Sequence, residues 1–291
     1  MPCVAEESFV DRRRNRQMKN VNVTDYRPKS LAEYIQVVET ISAETNGLWY
    51  RGCSRLRYTL LPTLYRERRN PDFREVNLSG LESQLVSRFL DRSLPYRERE
   101  LKFDLQTLFF MQHYGIPTRL LDWTENPFVG LFFALRGAKY EAKKNGLPKF
   151  TEDVAIWILD PSIWNQTALK DNSYEGGPLD PNHAELKSYV QIGDIDSARA
   201  NPVAIFGAHN SQRIVAQQGA FVIFGKKNVP MEQLYREGEF PRGSLSRVVI
   251  TKSRIEALRK TLFSHGITEG STFPDLEGLG RDLRRLYGFD I

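Results

Sequence analysis

Apolar residues recur at helical spacing in two segments near the start of the chain. Ser30 and Glu33 form a capping box, and the apolar stripe that follows runs from Leu31 to Ile41. Ser79 and Glu82 form a second capping box in front of another apolar stripe. Both segments are predicted to be amphipathic helices that bury one face.

A third helical pattern ends at Gly115. Pro117 follows two residues later, and this combination commonly stops a helix. Asn126 and Pro127 are typical of the N-cap and first position of the next helix. The polar segment Gln112–Asn126 therefore lies between two buried helices, and we predict an ordered loop that is held at both ends.

Strand patterns are more frequent in the second half of the chain. Alternating or short apolar runs predict strands at Val154–Leu159, Val203–Phe206, Arg213–Gln217, Ala220–Phe224 and Arg247–Thr251. Residues 164–200 are polar and predict a long excursion or lid. A last amphipathic helix is predicted from about Asp275 to Leu286. Helices and strands that do not alternate strictly predict an α+β fold, in one mixed domain whose strand-rich C-terminal half is flanked by helices.

The first 28 residues show little apolar periodicity and are predicted to form a basic N-terminal arm, with the domain at residues 29–291. Arginines at positions 12–14, with Arg16 and Lys19, make the densest basic run. A solvated tail is one interpretation of this run, and a contact with nucleic acid or an acidic partner is the other.

Composition narrows the class of protein. With 41% hydrophobic and 26% charged residues in 291, the chain is ordinary for a globular domain. Two distant cysteines form no metal-ligand or redox spacing, and the net charge of +5 tolerates an acidic partner without requiring one. No apolar run approaches the ~18 residues of a membrane span. We expect a cytoplasmic protein without a membrane partner and without a metal.

The Gln112–Asn126 segment carries an unusual density of hydrogen-bonding groups. Burying so many polar groups is costly unless they satisfy one another or a ligand, which makes the segment a candidate pocket wall. The structural alternatives are an ion pair between Arg119 and Asp122, a helix cap at Asn126, and His113 bound to a terminal carbonyl.

Two further segments carry candidate chemistry. Arg51 leaves a buried strand that begins at Trp49, where its guanidinium can bind a phosphate in bidentate fashion, and Gly52 permits close backbone approach. A surface arginine after an edge strand is the structural alternative. Gln217 and Gln218 separate two predicted strands, where their amides can bridge ribose hydroxyls or serve as turn residues.

Together these segments resemble the FRG domain family, which is named for a Phe/Tyr-Arg-Gly element. The matching strings are WYRG at 49–52, LLPTLYR at 60–66, QHYGIPTRLLDWTENP at 112–127 with LFFAL at 131–135, RIVAQQGAFVIF at 213–224 and FPDLEGLGRDL at 273–283. The resemblance covers roughly residues 30–287. Many FRG proteins resemble accessory or toxic components of bacterial defence loci.

The order of these motifs also resembles ADP-ribosyltransferases of the Arg–Ser–Glu type, and it implies a fold of that kind. By this resemblance Arg51 holds the phosphates or ribose of NAD, and the region from Asp122 to Thr124 supports the pocket. Gln217 or Gln218 stands where the family has a glutamate. Glutamine supplies no negative charge and no base, so Asp122 or another carboxylate supplies the charge, His113 assists, or the nucleotide is bound without turnover.

The resemblance therefore implies a cytoplasmic NAD-dependent ADP-ribosyltransferase that acts as a toxin or phage-defence effector on a nucleic-acid or protein acceptor. An antitoxin or another defence protein is its expected partner, and the arm could contact nucleic acid. The expected catalytic residues are Arg51, His113, Asp122, Gln217 and Gln218. The expected NAD-binding residues are Tyr50, Gly52, Gln112, Tyr114, Thr118, Arg119, Trp123 and Thr124. The alternatives are a non-catalytic nucleotide or nucleic-acid sensor, and a hydrolase or nuclease using His113 and Asp122 as acid and base.

Overall fold

The structure is a computed structural model that describes residues 22–289, except for residues 44, 46, 71, 73, 75, 98–99, 144–145, 171–173, 175 and 208–211. Most of the predicted basic arm, including its arginine run, lies outside the described residues. The strands are β1 Thr24–Tyr26, β2 Trp49–Cys53, β3 Leu120–Thr124, β4 Tyr140–Lys143, β5 Gly146–Phe150, β6 Val154–Leu159, β7 Val203–Phe206, β8 Gly219–Ile223 and β9 Leu245–Ile250.

The helices are α1 Leu31–Ser42, α2 Leu78–Arg92, α3 Leu105–His113, α4 Pro127–Arg136, α5 Pro161–Leu169, α6 Gln212–Gln217, α7 Met231–Arg236, α8 Ile255–Ser264, α9 Glu269–Thr272 and α10 Leu276–Leu286. Within the described residues, seven strands form one mixed sheet in the order β1-β9-β6-β2-β3-β8-β7. β1 is parallel to β9, and the other neighbours are antiparallel. The predicted α+β class is confirmed.

Helices cover both faces of this sheet. On one face, α4 and α8 pack with α1 over a core that includes Tyr50, Phe132 and Ile156. On the other face, α2, α3 and α5 bury Trp49, Leu121 and other apolar residues of the central strands. The central strands β2 and β3 are therefore buried on both sides, except where the cleft described below opens.

The Gln112–Asn126 segment is not a loop throughout, because β3 lies inside it. Leu120, Leu121 and Trp123 are buried, and β3 pairs with β8 along its whole length. The polar residues between them obscured the apolar alternation in the sequence. The predicted strand Arg213–Gln217 is wrong as well: these residues belong to α6, in which Ile214 is the buried residue, and the chain enters β8 only after Gln218.

The described residues between 164 and 200 do not form a lid. Residues 164–169 belong to α5, and Trp164, Leu186 and Tyr189 are each at most 1% exposed in the core beside the sheet. The Tyr189 hydroxyl donates to the carbonyl of Asn201 at 2.7 Å. A few large apolar side chains are enough to hold this mostly polar segment in the core.

Local details of the helix ends differ from the sequence prediction in one place. α1 is capped by Ser30, as predicted, and the N-cap of α10 is Asp275, where that helix was predicted to begin. α2 is capped instead by Asn77, and Ser79 and Glu82 make tertiary contacts. Ser79 donates to Asp196, and Glu82 pairs with Arg119.

The strand β1 lies inside the segment assigned to the arm. Its Asp25 receives a bidentate pair of hydrogen bonds from Arg247 of β9, each 2.9 Å long. Within the described residues, no helix is both long enough and apolar enough to span a bilayer.

Candidate functional site

A cleft of about 350 Å³ opens where β2 and β3 meet the end of α3 and the short helix α6. Its walls come from segments that are far apart in sequence. Its lining includes Tyr50, Arg51, Gly52, Arg66, Gln112, His113, Asp122, Trp123, Thr124, Arg213 and Gln217. The structure thus gathers nine of the residues expected from the sequence and adds two arginines.

The alternation of β2 places Arg51 in the cleft. A Cβ atom at Gly52 would lie 2.2 Å from the carbonyl oxygen of Gly130 and 2.4 Å from the amide nitrogen of Ala134. Gly52 therefore allows α4 to pack directly on β2, rather than a ligand to approach the backbone. Because successive strand residues point to opposite faces, close packing at Gly52 leaves Arg51 facing away from α4.

A chain of polar contacts fixes the carboxylate of Asp122 at the cleft. The Thr118 hydroxyl donates to Gln112 Oε1 at 2.5 Å, and Gln112 Nε2 donates to Asp122 Oδ2 at 2.8 Å. Arg51 Nη1 lies 3.8 Å from the same carboxylate oxygen and donates to the backbone carbonyl of Asp122. The Asp122 side chain nevertheless remains 55% exposed, so a ligand can reach it.

The cleft carries an excess of positive charge. Among the described residues, its lining holds the guanidinium groups of Arg51, Arg66 and Arg213 and one carboxylate, that of Asp122. Burial lowers the pKa of Arg66, and the nearby charge of Arg51 lowers it further. Burial also lowers the pKa of Arg213. Arginine stays protonated despite such shifts, so the lining favours an anionic ligand.

Arg213 connects the cleft to the loop after α9. Its Cζ lies 4.7 Å from the centre of the Phe273 ring, and Nη1 donates to the carbonyl of His113 at 3.4 Å. Burial, followed by the charge of Arg213, lowers the pKa of His113, while Asp275 opposes the shift. The imidazole of His113 is therefore neutral near pH 7.

Gln217 and Gln218 differ in their surroundings. Gln217 lines the cleft, and its side-chain amide donates to the carbonyl of Thr272 at 3.1 Å. Its own carbonyl accepts from the hydroxyl of Thr124 at 2.6 Å. Gln218 is exposed outside the lining and adopts a left-handed φ of 46°, so it serves as the turn residue before β8.

Three other expected residues do not reach the cleft lining. Tyr114 is 62% exposed and packs edge-on against Phe110. Thr118 is 1% exposed, and its hydroxyl donates to the side chain of Gln112, which does line the cleft. Arg119 is fully buried elsewhere, as the next contacts show.

The buried partner of Arg119 is Glu82, not Asp122. Nε and Nη2 of Arg119 donate to the two carboxylate oxygens of Glu82, each at 2.7 Å. The backbone N–H of Gly193 donates to the same carboxylate at 2.9 Å. This pair joins α2, the start of β3 and the segment before β7. Arg119 does form an ion pair, but the predicted partner, Asp122, is wrong.

Asn126 acts as a helix cap, as the structural alternative proposed. Its side-chain oxygen accepts from the backbone N–H groups of Phe128 and Val129 at the start of α4. The hydroxyl of Thr124 accepts from the N–H of Asn126, so both polar groups hold the β3–α4 connection. The part of the segment that faces the cleft therefore consists of Gln112, His113 and the residues 122–124.

Arg66 and Arg213 were not singled out as site residues from the sequence. Each does carry a signal, since Arg66 ends the LLPTLYR string and Arg213 begins the RIVAQQGAFVIF string. An arginine at the edge of a recurring string is hard to distinguish from a solvated side chain. In the part of the chain that the structure describes, no group of three or more His, Cys, Asp or Glu residues is placed to hold a metal ion.

Comparison with known proteins finds a family match for one part of the chain. The FRG domain model matches residues 46–143, a range that contains β2, α2, α3, β3 and α4. Comparison with curated proteins and with solved structures gave no match. Arg51, His113 and Asp122 lie within the matched range, whereas Arg213 and Gln217 lie beyond it. The chain therefore contains a segment, residues 46–143, that matches the FRG domain.

Proposed function

We propose that the cleft binds NAD and that the protein is an ADP-ribosyltransferase. The observation that carries this proposal is the pairing of Arg51 with Asp122 at the base of a cleft that otherwise carries positive charge. The guanidinium of Arg51 suits the phosphates of NAD. The carboxylate of Asp122 suits the positively charged ribose that forms when NAD is cleaved.

The positive charge of the lining supports a diphosphate ligand. Arg51, Arg66 and Arg213 present three guanidinium groups, and arginine binds phosphate oxygens in bidentate fashion. Only part of their charge is offset by Asp122. Tyr58 in the same lining is 45% exposed, and its ring offers apolar surface to a nicotinamide or adenine ring.

The carboxylate of Asp122 is suited to the bond-breaking step. When the bond between nicotinamide and ribose breaks, the electron pair leaves with nicotinamide and the ribose carbon gains positive charge. A fixed carboxylate stabilises that charge without reorganising. Gln217 is a poorer candidate, because its amide is neutral and is already bonded to Thr272.

The acceptor must then attack the ribose carbon and lose a proton. His113 lines the cleft and is neutral near pH 7, because burial and Arg213 lower its pKa. A neutral imidazole can accept the proton, and the lowered pKa keeps it available as a base under these conditions.

Release of nicotinamide from labelled NAD tests the proposal, with nucleic-acid and protein acceptors supplied in parallel. We expect Asp122→Asn to lower the rate by about 10²–10³-fold, as for the loss of one electrostatic stabiliser. Arg51→Lys keeps the charge but loses the bidentate fork, and should raise KM. Arg254→Lys, on an exposed turn after β9, is the matched control and should leave the rate unchanged. The absence of both nicotinamide release and label transfer with every acceptor would overturn the proposal.

One observation favours a second candidate, a nucleotide-binding module without turnover. The carboxylate of Asp122 already receives a hydrogen bond from Gln112 and lies close to Arg51, and glutamine stands where the related enzymes have glutamate. Such a module would use the same arginines to bind nucleotide and would signal through another protein. Calorimetry distinguishes the two, because this candidate predicts tight NAD binding with no nicotinamide release.

A role in bacterial defence follows from the family resemblance alone. On the transferase proposal, the protein is a cytoplasmic toxin or defence effector that requires a neutralising partner. The basic run at residues 12–19 is the proposed contact for a nucleic-acid acceptor. Deleting residues 1–21 should then lower modification of nucleic acid while NAD binding stays intact.

A further inference from the structure

The helix α10 presents its apolar face to solvent. Leu276, Leu279, Leu283 and Leu286 are 86%, 50%, 47% and 69% exposed, respectively. Their spacing of three, four and three residues is the a/d pattern by which two helices pack along a seam. A stripe of this kind on the surface marks a contact with another molecule, because isolated apolar residues are common on surfaces but ordered stripes are not.

The opposite, polar face of α10 holds the helix to the rest of the domain. A Cβ atom at Gly278 would lie 2.0 Å from the carbonyl oxygen of Phe273, so this side of the helix is packed against backbone. Asp282 accepts from the Thr268 hydroxyl at 2.6 Å and from the Gly270 N–H at 2.8 Å. These contacts fix the rotation of the helix, and the leucine stripe cannot turn inward without breaking them.

The stripe is complementary to itself in an antiparallel arrangement. If two copies of α10 cross about a two-fold axis at position 281, Leu276 lies opposite the partner's Leu286. Leu279 then lies opposite the partner's Leu283. A symmetric pair of this kind is the commonest way in which identical subunits assemble.

The charges at the two ends of the helix favour the same orientation. Asp275 and Glu277 lie at the start of the helix, and Arg284 and Arg285 lie at its end. An antiparallel pair places the acidic end of each helix beside the basic end of the other. A parallel pair would place like charges together, which costs free energy.

The apolar surface is large enough to support a dimer. Tyr287 and Phe289, which follow the helix, are 73% and 77% exposed and extend the stripe. The six side chains present on the order of 700 Å² of apolar surface, taking about 150–200 Å² for each when fully exposed. That exceeds the ~300–600 Å² of the largest patch on a typical monomer and approaches the ~800 Å² per partner of a standard interface.

We propose that the protein forms a two-fold symmetric homodimer through an antiparallel pair of α10 helices. The interface lies beside the cleft, because the guanidinium of Arg213, which lines the cleft, lies over the ring of Phe273, three residues before α10 begins. The second copy therefore stands next to the cleft entrance. This proposal does not depend on what the cleft binds.

Sedimentation velocity of the full chain tests the dimer over a roughly hundredfold range of concentration, because self-association follows mass action. We expect the wild type to be a dimer at micromolar concentration and Leu283→Glu to be a monomer. Leu94→Glu is the matched control, since Leu94 is 62% exposed on the turn that follows α2, and it should remain a dimer. Thermal unfolding of each variant checks that the fold is intact. A monomeric wild type, or a Leu283→Glu variant that still dimerises, would overturn the proposal.

Disulfide formation tests the antiparallel orientation. Single variants Leu279→Cys and Leu283→Cys are made in a Cys3→Ser background, and the remaining Cys53 is buried. We expect a cross-linked dimer when the two variants are mixed and oxidised, and little when either is oxidised alone. Efficient cross-linking of each variant with itself would show a parallel pair and contradict the proposed arrangement.

Discussion

Replacing Arg119 with methionine tests whether this residue stabilises the fold or binds a ligand. The sequence suggests a role in NAD binding, whereas the structure buries the side chain completely against Glu82. Methionine fills much of the same volume and removes the charge. The carboxylate of Glu82, itself 2% exposed, is then left with the N–H of Gly193 as its remaining described hydrogen-bond donor.

The expected cost follows from the burial of both groups. Removing one partner of a buried ion pair leaves an uncompensated charge and typically costs about 3–5 kcal/mol. A domain has about 5–15 kcal/mol of unfolding free energy in total, so the loss is a large fraction of it. At about 2–4 °C per kcal/mol for a chain of this size class, the melting temperature should fall by roughly 10 °C.

Urea unfolding and calorimetry measure this cost, and a second substitution provides the control. Replacing Glu82 with leucine in the Arg119→Met background removes the stranded charge, and the double variant should be more stable than Arg119→Met alone. At a temperature where the single variant is folded, NAD binding should match the wild type. An Arg119→Met variant that has wild-type stability but no longer binds NAD would show that Arg119 binds the ligand rather than stabilising the fold.

Three further predictions concern Gly52 in β2, His113 in the cleft and Asp282 in α10. Gly52→Ala should lower the free energy of unfolding by at least the ~1–3 kcal/mol typical of overpacking, because the new Cβ meets the backbone of α4. In the same unfolding assay Gly280→Ala, which has open space around it, should be neutral or stabilising by up to ~1 kcal/mol; equal effects would contradict this packing. Nicotinamide release should slow as the pH falls from about 7 towards 5, because His113, whose pKa is lowered by burial and Arg213, then becomes protonated and can no longer act as the base. The same pH dependence in His113→Asn would point to another group. Burial raises the pKa of Asp282, but hydrogen bonds and Arg285 outweigh it and lower the pKa overall. Its stabilising effect is therefore present above the ordinary aspartate pKa of about 4 and is lost as the pH falls through the lower folded value. The stability difference between wild type and Asp282→Asn, from urea unfolding at several pH values, should shrink in acid, and a constant difference would contradict the sign.

Elements with a strong local pattern could be predicted from the sequence. The stripe of α1 and its cap at Ser30, the apolar run of β6 and the amphipathic pattern of α10 all specify their structure within a few neighbouring residues. Arg51 and Asp122 could be singled out as candidates because they lie in two specific strings, both within the residues that the FRG domain model matches. Local chemistry was sufficient in these cases.

The remaining features depend on contacts between distant residues. Arg119 and Glu82 are 37 positions apart, and each has a closer polar neighbour, Asp122 and Ser79 respectively, that suggests a different role. α6 was taken for a strand because a six-residue apolar pattern does not distinguish one helical turn from one strand. Arg66 and Arg213 reach the cleft only because the sheet brings β2 and β8 to either side of β3.

Isothermal titration calorimetry of the purified chain with NAD measures whether this cleft binds the dinucleotide. We expect one saturable site per chain for the wild type, with affinity reduced at least tenfold in Arg51→Gln and unchanged in the control Arg254→Gln. Arg213→Gln should weaken binding as well, because its guanidinium lines the same cleft. No binding by the wild type, or equal affinity in Arg51→Gln, would contradict the assignment of this cleft to NAD.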